Sequence, residues 1–158
     1  MADQNELSPG GLALVEVLTV VATGFGVAAT VTVTDVGDEE FSVVIEGEGA
    51  DALVGTDGSV IDALQYLSSQ IMSRAEGGGR YRVALDAGGY RARREAALVD
   101  LANRAAEEAL EFGEEIELDA MSPHDRRIVH MALKDRDDVV TRSEGDEPRR
   151  RIIVEPAD

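Results

Sequence analysis

The chain has 158 residues, enough for one domain or two small ones; 44% are apolar, but tryptophan is absent and aromatics are few, so a core must be built from Val, Leu, Ile and Ala. Cysteine is absent, which excludes disulfides, zinc ribbons and thiol catalysis and suits a reducing, cytoplasmic setting. The formal charge of −17 is uneven: residues 1–73 hold twelve acids and no Lys or Arg, whereas residues 122–154 hold eight basic residues against seven acids, so phosphate contact is favoured in the C-terminal part.

Residues 1–10 are polar, include Pro9, and read as a disordered start. Gly11 to Val33 is long enough to suggest a membrane span, but Glu16 lies inside it, no basic residue flanks it, and Gly24 and Gly26 divide it. The expectation is therefore no stable membrane insertion and no signal peptide. Leu14, Leu18, Val21 and Ala22 recur at helical spacing and predict a helix to about Thr23. ATVTVTD alternates, so Ala29 to Asp35 reads as a strand; GDEE is a turn, and Phe41 to Gly47 a second, antiparallel strand. ADALV is one helical turn. After GTDG, Val60, Leu64, Leu67 and Ile71 mark a helix face to about Arg74, and RYRVALD returns to strand alternation. The first unit thus reads α-β-β-α-α-β, with a domain over 11–87.

The second unit, 88–158, opens on a long helix from Tyr90 to about Phe112, with Leu98, Leu101, Ala105 and Ala109 inward and Gly113 as its stop. EIEL is a short strand. Ser122 reads as an N-cap, Pro123 as the first helical residue, and Asp125 completes a capping-box-like pattern for a helix to about Lys134. VVTRS, EGDEP and RRRIIVE read as strand, turn and strand, which makes a small α/β unit.

Three constellations bear on function. Gly55, Thr56, Asp57 and Gly58 form a GxxG loop ahead of a helix whose first N–H groups would be unpaired and carry partial positive charge. In KH domains of the prokaryotic type II order, a loop at this place clamps single-stranded nucleotides. Asp57 works against that use, because a carboxylate repels an incoming phosphate by roughly 1 kcal/mol at ~4 Å in water. Next, Arg126 and His130 are four apart and share a helix face, where an exposed pair, with Arg127 beside it, can hold adjacent phosphates. Finally, Arg142 with Arg149, Arg150 and Arg151 loads the C-terminal hairpin; alternation places Arg149 and Arg151 on one face and Arg150 on the other, and such charge also suits an edge strand. The two histidines, His124 and His130, are six apart and face different directions, so nothing in the spacing points to catalysis. No metal or other cofactor is expected, since the acidic clusters lack the EF-hand pattern.

The phrases DALQYL, LDAGGYRARRE, MSPHDRRIVH and SEGDEPRR together resemble the Jag family, the SpoIIIJ-associated proteins, over about residues 10–155. The resemblance implies an α+β chain in which a type II KH domain precedes a small α/β R-three-H domain, and an RNA-binding, non-catalytic post-transcriptional regulator linked to cell elongation or division. It assigns Arg126 and His130 as the R-three-H pair, and Gly55, Thr56, Asp57 and Gly58 as the KH loop. It implies single-stranded RNA or DNA as a partner, and a small single-KH protein as another. The family loop normally carries basic residues where Thr56 and Asp57 stand, so contacts at Arg126, Arg127, His130, Arg142, Arg149 and Arg150 are expected to outweigh those of the loop. The competing expectation is a protein-interaction adaptor whose first lobe is a docking scaffold with little RNA affinity.

Overall fold

The computed structural model describes residues 7–157. Most of the start expected to be disordered, residues 1–6, lies outside the described residues. The chain divides into two compact units, Met1–Arg91 and Ala92–Asp158, so Tyr90 and Arg91 group with the first. No described helix is long and apolar enough to cross a membrane.

Unit 1 runs α1 (Pro9–Gly24), β1 (Thr30–Gly37), β2 (Glu40–Glu46), two 3₁₀ turns (Ala50–Leu53 and Thr56–Gly58), α2 (Ser59–Ala75) and β3 (Arg82–Ala87). The order of elements is the expected one; the single helical turn at ADALV is a 3₁₀ turn, and a second 3₁₀ turn follows within GTDG. Helix α1 begins inside the stretch read as loose. Ser8 caps it by accepting from the Gly11 N–H, and Glu76, from the end of α2, accepts from the Gly10 N–H at 2.7 Å. These carboxylate and hydroxyl acceptors satisfy donors that a helix start leaves open. Gly10 also lets the helices approach closely: a Cβ there would stand 2.5 Å from Met72 Sδ.

The sheet has the order β1-β2-β3, antiparallel for β1 and β2 and parallel for β2 and β3. Register explains the core. Val31 faces Ile45 and Val33 faces Val43, while Phe41, Val43 and Ile45 line up with Val83, Leu85 and Ala87. Because side chains alternate along a strand, those rows all fall on one face, where Leu14, Leu18, Ile61 and Met72 from the two helices cover them. On α1, Leu12, Val17 and Val20 are left exposed, as is Phe25 just beyond it.

Unit 2 takes in most of α3 (Tyr90–Phe112), then β4 (Ile116–Glu117), α4 (Pro123–Leu133), β5 (Val139–Glu144) and β6 (Arg151–Pro156). Its sheet is antiparallel in the order β4-β6-β5. Ile152 and Val154 on β6 and Val139 on β5 meet Val129 and Leu133 of α4 and an alanine-rich stripe of α3, Ala102, Ala105, Ala106 and Ala109. Gly113, in the left-handed region at φ 66°, stops α3 as expected.

Candidate nucleic-acid interface

Helix α4 starts as its sequence dictates. Ser122 Oγ accepts from the Asp125 N–H at 3.2 Å, and Pro123 needs no donor partner at the first position. The Asp125 side chain, only 7% exposed, accepts from Arg94 Nη2 at 2.8 Å and Nε at 3.1 Å, so a buried ion pair ties α4 to α3 within unit 2. Val129 and Leu133 then face the core, which turns Arg127, His130, Met131 and Lys134 outward as a row at helical spacing.

Arg126 is not on that outward row. Helical spacing points to an exposed Arg126–His130 pair; instead Arg126 is buried, its side chain 10% exposed. The reason is local. Its Nη1 donates to the Met121 carbonyl at 2.7 Å, and both terminal nitrogens engage the Glu147 carboxylate. In return, the Arg126 guanidinium holds the Glu147 carboxyl below the usual range. His130 is exposed, and its Nδ1 is hydrogen-bonded to Thr141 Oγ on β5.

The hairpin arginines sort differently from the simple alternation. Strand β6 starts only at Arg151; Arg149 and Arg150 belong to the turn, where the Arg149 N–H donates to the Asp146 carbonyl at 2.8 Å. Arg150 Nε donates to Ser143 Oγ at 2.7 Å. Thr141 and Ser143 share one face of β5, roughly 7 Å apart along the strand. His130, Thr141, Ser143 and Arg150 therefore form a continuous polar row. Arg142 points to the opposite face, where Glu115, Glu144 and Glu155 surround it. Arg151 is paired with Glu117 at 2.6 Å, and Arg136 with Glu107 and Asp138. By contrast Arg127, Lys134, Arg149 and Arg150 are exposed and make no ion pair among the described residues. Lys134 is absent from the residues singled out by sequence, although its seven-residue offset from Arg127 places it on the same helix face.

The GxxG loop belongs to unit 1. Gly55, Asp57 and Gly58 all have positive φ, at 73°, 52° and 83°. A Cβ on Gly55 would collide with Val60 Cγ2, and one on Gly58 would come within 2.7 Å of the Tyr90 hydroxyl. Gly55→Ala is accordingly expected to destabilise unit 1 by about 2 kcal/mol or more, measured by denaturant unfolding. The expected open donors at the start of α2 are absent. Ser59 N–H donates to the Thr56 carbonyl, and Val60 and Ile61 N–H both donate to the Val54 carbonyl, at 3.0 and 3.2 Å. The chain folds back on its own helix start, so those three donors face inward.

Residues 96–156 match the model of the R-three-H domain. The chain is 37% identical to the RNA-binding protein KhpB of Clostridium symbiosum over 117 residues, covering 74% of this chain and 52% of that protein. It is 34% identical to the protein of the same name from Lactiplantibacillus plantarum, covering 90% of this chain and 44% of that one, and 31% identical to that of Bacillus subtilis, covering 70% and 53%. The second half of the chain thus carries an R-three-H domain, and most of the chain is similar to curated proteins named RNA-binding protein KhpB. The chain spans about half the length of these curated relatives. The R-three-H match falls within unit 2 and contains Arg126, His130 and the whole row of exposed cations.

Proposed function

We propose that the R-three-H unit binds single-stranded RNA along the track formed by Arg127, His130, Lys134, Arg149 and Arg150, with Thr141 and Ser143 supplying neutral hydrogen-bonding groups between them. One observation carries this reading: unit 2 ties Arg126, Arg136, Arg142 and Arg151 into ion pairs with its own carboxylates, whereas among the described residues the arginines and lysine of the track make none, Glu147 acting on Arg150 only at longer range. Phosphates add to affinity where a cation is not already paired, and each contact contributes to the salt dependence. Arg142 leaves the proposed contact set for that reason. Curated relatives named as RNA-binding proteins support RNA as the ligand. The protein then acts in the cytoplasm as a non-catalytic, post-transcriptional RNA binder, and single-stranded DNA is the competitor to compare. A salt titration against single-stranded RNA tests it; binding that is absent, or independent of salt, sinks it.

We read unit 1 as a KH domain whose loop makes little contact with RNA. Asp57 is acidic, and the first three donors of α2 are spent internally. Asp57→Asn keeps a residue that tolerates positive φ while removing the charge. It is expected to change RNA affinity by less than about twofold, because screened, non-contacting charges act weakly. A large gain in affinity would show the loop to be in contact after all. A docking role for unit 1 is the second reading, favoured by the exposed apolar residues Leu12, Val17, Val20 and Phe25. Capture of partners that survives nuclease treatment would support it.

A further inference from the structure

We infer that Arg126 is a positioning residue: it fixes the turn that presents Arg149 and Arg150, and does not itself touch the nucleic acid. The inference rests on the track proposed above. Arg126 Nη1 donates to the Met121 carbonyl at 2.7 Å and lies 3.5 Å from the Arg150 carbonyl, and the guanidinium grips both oxygens of Glu147. The Met121 N–H also donates to the Arg150 carbonyl, at 3.2 Å. A single cation at the foot of α4 therefore holds the residue before the α4 N-cap, the turn carboxylate and the backbone of Arg150 in one place. A phosphate could reach it only by displacing Glu147 from a two-point, charge-assisted grip on a side chain 10% exposed. The pair is also electrically neutral, so it adds nothing to the long-range attraction of a polyanion. Planar, forked donation is what this task requires, and lysine cannot supply it.

The decisive variant is Glu147→Gln in the full chain, measured with a labelled single-stranded oligouridylate and with amide hydrogen exchange of the turn. Removing a carboxylate beside the track would tighten binding if Arg126 were a phosphate contact being freed. Positioning predicts the opposite: affinity falls by about fivefold, the worth of one well-placed hydrogen-bonded contact, and the Arg149 amide exchanges faster. Arg126→Ala and Arg126→Lys should give the same loss, the double variant with Glu147→Gln should be no worse than either, and the salt slope should stay as in the parent. Arg126→Lys keeps the charge and guards against a variant that simply unfolds. Tighter binding by Glu147→Gln, or a salt slope that drops by about 0.7 in Arg126→Ala, overturns the inference. If the parent chain does not bind the oligonucleotide, the proposed function fails on its own; faster exchange at Arg149 in Arg126→Lys then still sustains the positioning role, and unchanged exchange overturns it.

Discussion

An Arg127→Ala, Arg150→Ala double variant is expected to lose about tenfold in affinity for single-stranded RNA near physiological salt, and its log–log salt slope to shrink by about 1.4. Both numbers follow from counterion release. Each phosphate contact on a single strand frees about 0.7 of a counterion, and freeing one at ~0.15 M ionic strength is worth several-fold in binding. The two residues come from different elements, the outward row of α4 and the turn before β6, so the loss tests whether the track is continuous. Neither makes an ion pair among the described residues, and Arg150 gives up its bond to Ser143 Oγ and a longer-range attraction to Glu147, so folding should be little affected. Arg142→Ala is the matched control. It removes one positive charge, as each track substitution does alone, from the opposite face of β5, but one already surrounded by Glu115, Glu144 and Glu155, and should leave the slope unchanged. Equal effects from Arg142→Ala and the track residues would mean that only net charge matters.

The largest stability effect is expected at Asp125. Asp125→Ala should lower the stability of unit 2 by about 2 kcal/mol, less than the ~3–5 kcal/mol of a fully buried pair, because the Arg94 side chain left behind is 27% exposed and can recover water. For a unit of this size that corresponds to a melting temperature lower by about 10 °C. The N-cap bond from the Asp125 N–H to Ser122 Oγ survives the substitution, so the loss reports the ion pair rather than the cap. Adding Arg94→Met should cost less than the sum of the two single losses, since the Asp125 contact is removed in both. Calorimetry of the single and double variants gives the coupling directly, and additive losses would show that the pair does not matter.

The fold was legible in the sequence to a large degree, and for physical reasons. Alternation in Val31, Val33, Phe41, Val43 and Ile45 survives into one buried sheet face because every second side chain must share a side. Ser122, Pro123 and Gly113 act through local backbone chemistry, so they mark helix ends without help from tertiary structure. The site was less legible. That Arg126 and His130 stand four apart fixes a shared helix side, yet it says nothing of a carboxylate twenty-one residues downstream that draws Arg126 inward. The same holds for Arg142 and Arg150. They differ in role because one has three glutamates around it on its face of the sheet and the other meets a serine, a distinction set by strand register rather than by composition. Of the charged residues on the proposed track, Lys134 alone was open to discovery from spacing and passed over.

The closed start of α2 has a consequence for redesign. Placing lysines at positions 56 and 57 would supply attraction without a seat: an approaching phosphate would find the Ser59, Val60 and Ile61 amides already committed to the Thr56 and Val54 carbonyls. Charge alone would make that loop sticky toward any polyanion. Making it selective for a nucleotide backbone would also require Val54 to release the helix it now caps.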